Sequence, residues 1–71
     1  MYYLKRLKEL RESMNLRQHN LAEVLDITKQ QYSLYETGVR ELPVHHLKVL
    51  AQFYNISTDY ILELTNEEKI S

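Results

Sequence analysis

The chain has no cysteine, and only one glycine and one proline among its 71 residues. Without cysteine, neither a disulfide framework nor a thiolate metal site can supplement a small core. One glycine and one proline leave almost no room for hairpins or for a glycine-rich loop that cradles phosphate. No apolar run approaches the roughly 20 residues of a membrane span, and the opening MYYLKRLKEL does not read as a signal peptide. What remains is 44% apolar and 27% charged, the balance of a folded domain and not of a disordered segment. A chain this short makes one domain at most, near the lower limit for a self-sufficient core. It must pack well as helices, or oligomerise. The expectation is a soluble cytoplasmic protein.

An excess of one charge sign is also missing. The formal net charge is −1, which speaks mildly against a nucleic-acid partner, since such proteins often carry a basic surplus. The distribution is uneven, however. Residues 1–35 hold six basic side chains against four acidic ones, and residues 36–71 hold three against six. A basic half suits a module that meets an anion with one face.

Apolar spacing supplies the architecture. Leu4, Leu7, Leu10 and Met14 recur every three or four residues, which predicts an amphipathic helix closing near Asn15. Leu21, Ala22, Val24 and Leu25 mark a second helix over 17–25, stopped at Asp26-Ile27-Thr28. Thr28 reads as the N-cap of a third helix that runs to Thr37 and is closed by Gly38. Pro43 fits the first turn of a fourth, with the stripe Val44, Leu47, Leu50, Ala51 and Tyr54 and a cap at Asn55. Ser57 or Thr58 caps a last short helix with Tyr60, Ile61, Leu62 and Leu64. The result is an all-α, compact five-helix bundle over residues 1–65, with 66–71 as a frayed tail.

The informative part is residues 18–37. Leu21, Leu25, Ile27, Tyr32 and Tyr35 would seal two helices across a short turn, with Ala22 at the closest crossing. That is the requirement of a helix-turn-helix, whose second helix projects outward. Its inner face is Tyr32 and Tyr35; its outer face offers Lys29, Gln30, Ser33 and Leu34. Lys and Gln can hydrogen-bond base edges, and an apolar residue can meet a thymine methyl.

Three strings in order, "LKRLKELRESMNLRQHNLAEVL", "ITKQQYSLYETG" and "ELPVHHLKVLAQFYNISTDYIL", resemble the phage-repressor-like (Cro/XRE) helix-turn-helix domains over Leu4 to Leu64. The resemblance implies the lambda-repressor-like fold, with its third helix entering the major groove of double-stranded DNA, usually as a homodimer on a near-palindromic operator. By position it implies that Gln18 meets backbone phosphate and braces the first residues of the third helix; Arg17 beside it is read as a phosphate contact or a merely solubilising charge. Thr28, Lys29, Gln30 and Ser33 face bases or adjoining phosphates, and Thr37, Gly38 and Arg40 lie in the loop approaching the sugar-phosphate chain. It further implies a structural ion pair between Arg11 and Glu36. Asp26 stands where many relatives have glycine, Tyr32 replaces a branched aliphatic, and Leu34 replaces a polar reader.

Lys5, Arg6 and Lys8 are read as solubilising charges more than as phosphate contacts. His45 and His46 are adjacent, so on a helix they should point about 100° apart and not chelate together. His19 belongs to another helix, so no metal site and no cofactor are expected. No nucleophile triad, carboxylate pair or phosphate loop can be assembled, which excludes an enzyme, and no small-molecule ligand is evident. Phe53, Tyr60, Ile61 and Leu64 exceed what so small a core needs and are read as a dimer interface. The expected function is a transcriptional regulator acting by occupying an operator, a repressor that is nucleoid-associated when bound. A protein-interaction module of the same fold, antitoxin-like or an anti-repressor partner, is the rival.

Overall fold

A computed structural model describes residues 3–66; Met1, Tyr2 and the stretch 67–71, which holds most of the tail expected to fray, lie outside them. Five helices follow in order: α1 Lys5–Ser13, α2 Gln18–Leu25, α3 Lys29–Thr37, α4 Val44–Tyr54 and α5 Thr58–Ile61. None is long and apolar enough to cross a membrane.

The helix ends explain how a chain with one glycine makes such tight corners. Asn15, Asp26, Gly38 and Asn55 all adopt positive φ, between 56° and 79°. Asn and Asp reach this left-handed region more readily than other side-chain-bearing residues. In three of these corners the next amide reaches back five residues: Leu16 N–H to Arg11 O (3.0 Å), Ile27 to Ala22 O (2.9 Å) and Ile56 to Ala51 O (3.0 Å). This is the Schellman closure, which satisfies a free carbonyl and turns an apolar residue back toward the helix it leaves. Ile56 is accordingly in the core, and Leu16 and Ile27 pack against it. Asp26, at φ 57° and ψ 47°, therefore performs the turn without glycine.

Helix starts are set with equal economy. The Thr28 hydroxyl accepts from Gln31 N–H (3.1 Å) and the Ser57 hydroxyl from Tyr60 N–H (3.0 Å). The Asn20 side chain accepts from Arg17 N–H (2.9 Å) ahead of α2. Pro43 sits just before α4 with φ −65°, its carbonyl taking Leu47 N–H at 2.9 Å.

Leu7, Leu21, Leu25, Tyr32, Tyr35, Leu47, Leu50, Ile56 and Ile61, with Ala22 and Ala51, form the core. α2 packs against α3 and α4, α1 against α3, and α5 against α4. Four expectations are corrected. Val44 is 67% exposed, because the first turn of α4 extends past the edge of the core; Met14, beyond the end of α1, is exposed as well. Ile61 is fully buried, so it belongs to the core and cannot form a dimer interface. α5 also ends at Ile61, leaving Leu62 and Leu64 beyond it.

Arg6 is an internal tie. Its guanidinium lies 4.1 Å from the Tyr60 ring centre and donates to the carbonyls of Tyr60 (2.8 Å) and Thr65 (2.6 Å) and to Asn66 Oδ1 (2.7 Å). This fixes the end of the described chain on α1, including Asn66, which the sequence assigned to the tail. It also covers a face of Tyr60, leaving that half-buried ring less surface to offer a second subunit.

The strongest polar contact joins α1 to the end of α3. Arg11 Nε donates to Glu36 Oε2 at 2.7 Å and Nη2 to Oε1 at 3.1 Å, with side-chain exposures of 12% and 4%. Arg11 Nη1 also holds Leu16 O at 3.0 Å, and Gln18 Nε2 donates to Glu36 Oε1 at 3.2 Å. Burial alone would raise the Glu36 carboxyl pKa; the hydrogen bonds from Arg11 and Gln18, with the Tyr32 hydroxyl beside them, hold it below the usual glutamate value. The Tyr32 hydroxyl is buried beside Glu36 and helps hold the carboxyl ionised. Its own pKa is pushed far up, first by burial and then by Glu36.

Two outcomes follow from this pair. Removing one partner of a buried ion pair strands the other charge, so Glu36→Ala should cost about 3–5 kcal/mol and lower the melting temperature by more than ~10 °C in a domain this small. An unchanged melt would contradict the role given to the pair. Acid has a related effect. The unfolded carboxyl, with a pKa near ~4.3, takes up its proton before the folded one does. Stability from Glu36 is therefore complete above that value and is lost as pH falls through the lower folded pKa. His46, lowered first by burial and then by His45, acts in the same direction from about pH 6.5 downward. Thermal melts across pH 7 to 3 should show stability falling monotonically, with the lowest-pH step reduced in Glu36→Gln.

Candidate nucleic-acid interface

Tyr32 and Tyr35 are buried beneath α3 and fix the helix from below. Gln31 belongs to that anchoring: its Nε2 donates to the Tyr35 hydroxyl at 3.2 Å. The opposite face stays open. Thr28, Lys29 and Gln30 are exposed, Ser33 and Leu34 half-exposed. A groove lined by Lys29, Gln30, Ser33 and Leu34 of α3 and by Gln18 of α2 runs along this face. Leu34 also lines a second depression with Gln31, Tyr35, Arg40, Glu41 and Pro43, so it forms the ridge between the two.

Gln18 is the junction between this groove and the interior. One amide N–H is committed to Glu36, which fixes the side chain and leaves its second N–H and its carbonyl for the groove. The side chain at the start of α2 is thus positioned by the Arg11–Glu36 pair. The sequence gives no sign of that link, because Gln18, Glu36 and Arg11 come from three separate helices.

A second, more polar cleft adjoins it, lined by Arg11, Arg17, Gln18, His19 and Lys29. Three elements converge there: α1, the start of α2 and the first residue of α3. His19 is absent from the site read from sequence, although it adjoins Gln18 and Arg17 in the chain. Only the fold brings Lys29 and Arg11 to the same cleft.

The loop after α3 is more closed than the sequence implies. Thr37 and Arg40 are exposed, and Thr37 Oγ1 donates to Leu34 O at 3.2 Å. Gly38 is buried, and its N–H is engaged by Tyr35 O at 3.3 Å. A Cβ at Gly38 would lie 3.0 Å from the Tyr3 Cα and 3.2 Å from its N. The glycine is required twice, by its φ of +79° and by the backbone of residue 3 lying on it. That flank of the loop is occupied by the chain's own N-terminal segment. The His45 and His46 rings do not diverge: their centres lie 4.1 Å apart, and His46 leans on Tyr35 at 5.9 Å.

Of the residues read as a dimer surface, Phe53 is 40% and Leu64 73% exposed, while Ile61 is interior and Tyr60 half-covered. Val49, one turn before Phe53 on α4 and like it off the apolar stripe, is also exposed.

Residues 7–61 match the family model described as Helix-turn-helix, and the chain belongs to that family. The resemblance carried by the three strings holds. Among curated proteins it is 40% identical over 65 residues to the Bacillus subtilis (strain 168) protein named "Uncharacterized HTH-type transcriptional regulator YobD", covering 92% of this chain and 58% of that one. It is 41% identical over 58 residues to "HTH-type transcriptional regulator ImmR" of the same organism, covering 82% and 46%. The prophage-derived regulator YonR, also of that organism, is 36% identical over 63 residues, covering 89% and 58%. The chain spans about half the length of these relatives. No solved structure matches significantly.

The Gly38 geometry yields a direct test. Gly38→Ala must accept both a left-handed backbone and an overlap with main-chain atoms of Tyr3, which cannot swing aside as a side-chain tip would. The expected loss is about 1–3 kcal/mol, read as a lower denaturation midpoint in urea. A variant as stable as the parent would show that residue 3 does not rest on this loop.

Proposed function

We propose that the protein is a sequence-specific DNA-binding transcriptional regulator, a repressor that acts as a dimer on a near-palindromic operator. The observation that carries this reading is the division of α3 into two faces. Tyr32 and Tyr35 spend their surface on the core, and Lys29 and Gln30 stand free beside a groove shared with Gln18. Side chains on a helix fixed in this way lose little further entropy when they meet base edges. Lys29 and Gln30 are the readers of base edges, with Ser33 and Leu34 beside them, Leu34 offering apolar contact to a thymine methyl. Arg17, Gln18, Thr28, Thr37 and Arg40 hold the sugar-phosphate chain and set the register. Gly38 shapes the loop and contributes no more than backbone.

The mechanism is occupancy. A bound protein denies the operator to other proteins, and no bond is made or broken. The second copy would use Phe53, Val49 and Leu64, with the uncovered edge of Tyr60. Two copies related by a two-fold axis place their third helices in successive major grooves, about 34 Å apart. The names of the similar regulators favour this reading, as does the exposure of Lys29 and Gln30 on the first turn of one helix.

Selection from randomised duplexes tests it. The expected result is enrichment of a palindrome with half-sites about one helical turn apart. Binding should weaken steeply with salt, because displaced counterions return to the duplex at higher ionic strength. Lys29→Ala combined with Gln30→Ala should cost tenfold or more in affinity for the winner, by the roughly 1–3 kcal/mol that one good base contact carries. The melting temperature should barely move, since both side chains are exposed. Failure of a folded protein to enrich any sequence would favour a protein-interaction module instead.

A further inference from the structure

We propose that His19 is a further contact to the DNA backbone. With Arg17 and Lys29 it forms a phosphate seat whose full charge is present only when the imidazole is protonated. The proposal rests on the DNA-binding reading and adds a pH dependence to it.

The geometry is the cleft in which α1, α2 and α3 meet. Its lining is Arg11, Arg17, Gln18, His19 and Lys29, with no acidic side chain among them. Arg11 at its floor is already neutralised by Glu36. Arg17, His19 and Lys29 are exposed, and no carboxylate of the described residues forms a salt bridge with them. Gln18 stands between His19 and the base-facing groove with a spare amide N–H, so an anion in the cleft would be continuous with a duplex lying along α3. A phosphodiester is an acceptor-only anion, and this lining is donor-rich: two fixed cations, an amide, and an imidazole that donates from both nitrogens once charged.

The charged groups facing His19 are Arg17 on its own segment, Lys29 from α3, and Arg11 from α1 with Glu36 behind it. Glu23 lies one turn further along α2, where side chains four apart are neighbours. A phosphate seated among these groups favours the charged imidazole, so binding and proton uptake are linked. Imidazole is the side chain whose charge ordinarily changes between pH 5 and 8. A protein with formal net charge of −1 would gain most from one added positive charge placed at the contact.

The test uses the full chain and a duplex of arbitrary sequence, because phosphate contacts carry no base preference. Affinity is measured at pH 8.0 and pH 5.8 over a range of salt, in the parent, in His19→Gln and in His45→Gln as a control outside the cleft. The parent should bind roughly threefold to tenfold more tightly at the lower pH, with its salt slope steeper by about 0.9, the value of one added phosphate contact. His19→Gln should lose this difference and His45→Gln should keep it. Proton NMR of the imidazoles should show the His19 pKa rising when duplex is added. Duplex binding that is equally pH-dependent in parent and His19→Gln, or a His19 resonance unmoved by duplex, overturns the proposal and leaves the DNA-binding reading standing. Absence of any duplex binding by the folded chain overturns both.

Discussion

The ion pair of Arg11 and Glu36 is the constraint on which the rest of the domain depends. Its two side chains touch four parts of the chain: α1, the corner at Leu16, the start of α2 through Gln18, and the end of α3. A charge pair withdrawn from water is costly unless its hydrogen bonds are filled, and here the guanidinium makes three while the carboxylate accepts three. In a core with eleven apolar residues, such a pair does more to define one arrangement than to add net stability. It fixes where α3 ends relative to α1, and so the angle at which α3 leaves the body.

That angle matters because α3 is nine residues long and carries the proposed readers on its first two turns. The helices on either side are short, and short helices are marginal alone. The left-handed closures at Asn15, Asp26, Gly38 and Asn55 convert them into a rigid set. At three of those corners the residue just beyond is turned into or against the core, so stopping a helix and filling the interior are one event. Arg6 extends the same logic to the C-terminal end, where its stacking on Tyr60 and bonds to two carbonyls hold a segment whose leucines, Leu62 and Leu64, lie outside the core.

Charge is used locally. Net charge close to zero would ordinarily speak against an anionic partner, yet the described cations are sorted by role. Arg6 and Arg11 are spent on internal bonds, and Arg17, Lys29 and Arg40 stand exposed around the α2–α3 face. With two of the arginines held in internal bonds, Arg17, Lys29 and Arg40, with a titratable neighbour such as His19, carry the charge at the surface where an anion would lie.

The sequence by itself determined the number, order and approximate ends of the helices. Those depend on local matters: periodic leucines, a threonine or serine hydroxyl at a helix start, and Asn, Asp or Gly where the chain must go left-handed. It also determined the two faces of α3, because spacing puts Gln30 and Ser33 away from Tyr32 and Tyr35, with Lys29 at the open first turn. Only the tertiary structure decided what depends on distant segments meeting. Ile61 looked like spare apolar surface and is interior, since α5 folds back over α4. Arg6 looked like a free charge and is bonded to residues 54 to 60 positions away in sequence. Gly38 looked like a helix stop in a loop facing the DNA backbone and is also the floor under Tyr3. His19 acquired neighbours when α1, α2 and α3 came together. Helical periodicity reports which side of a segment is apolar, and what that side meets is fixed by the packing of the whole chain.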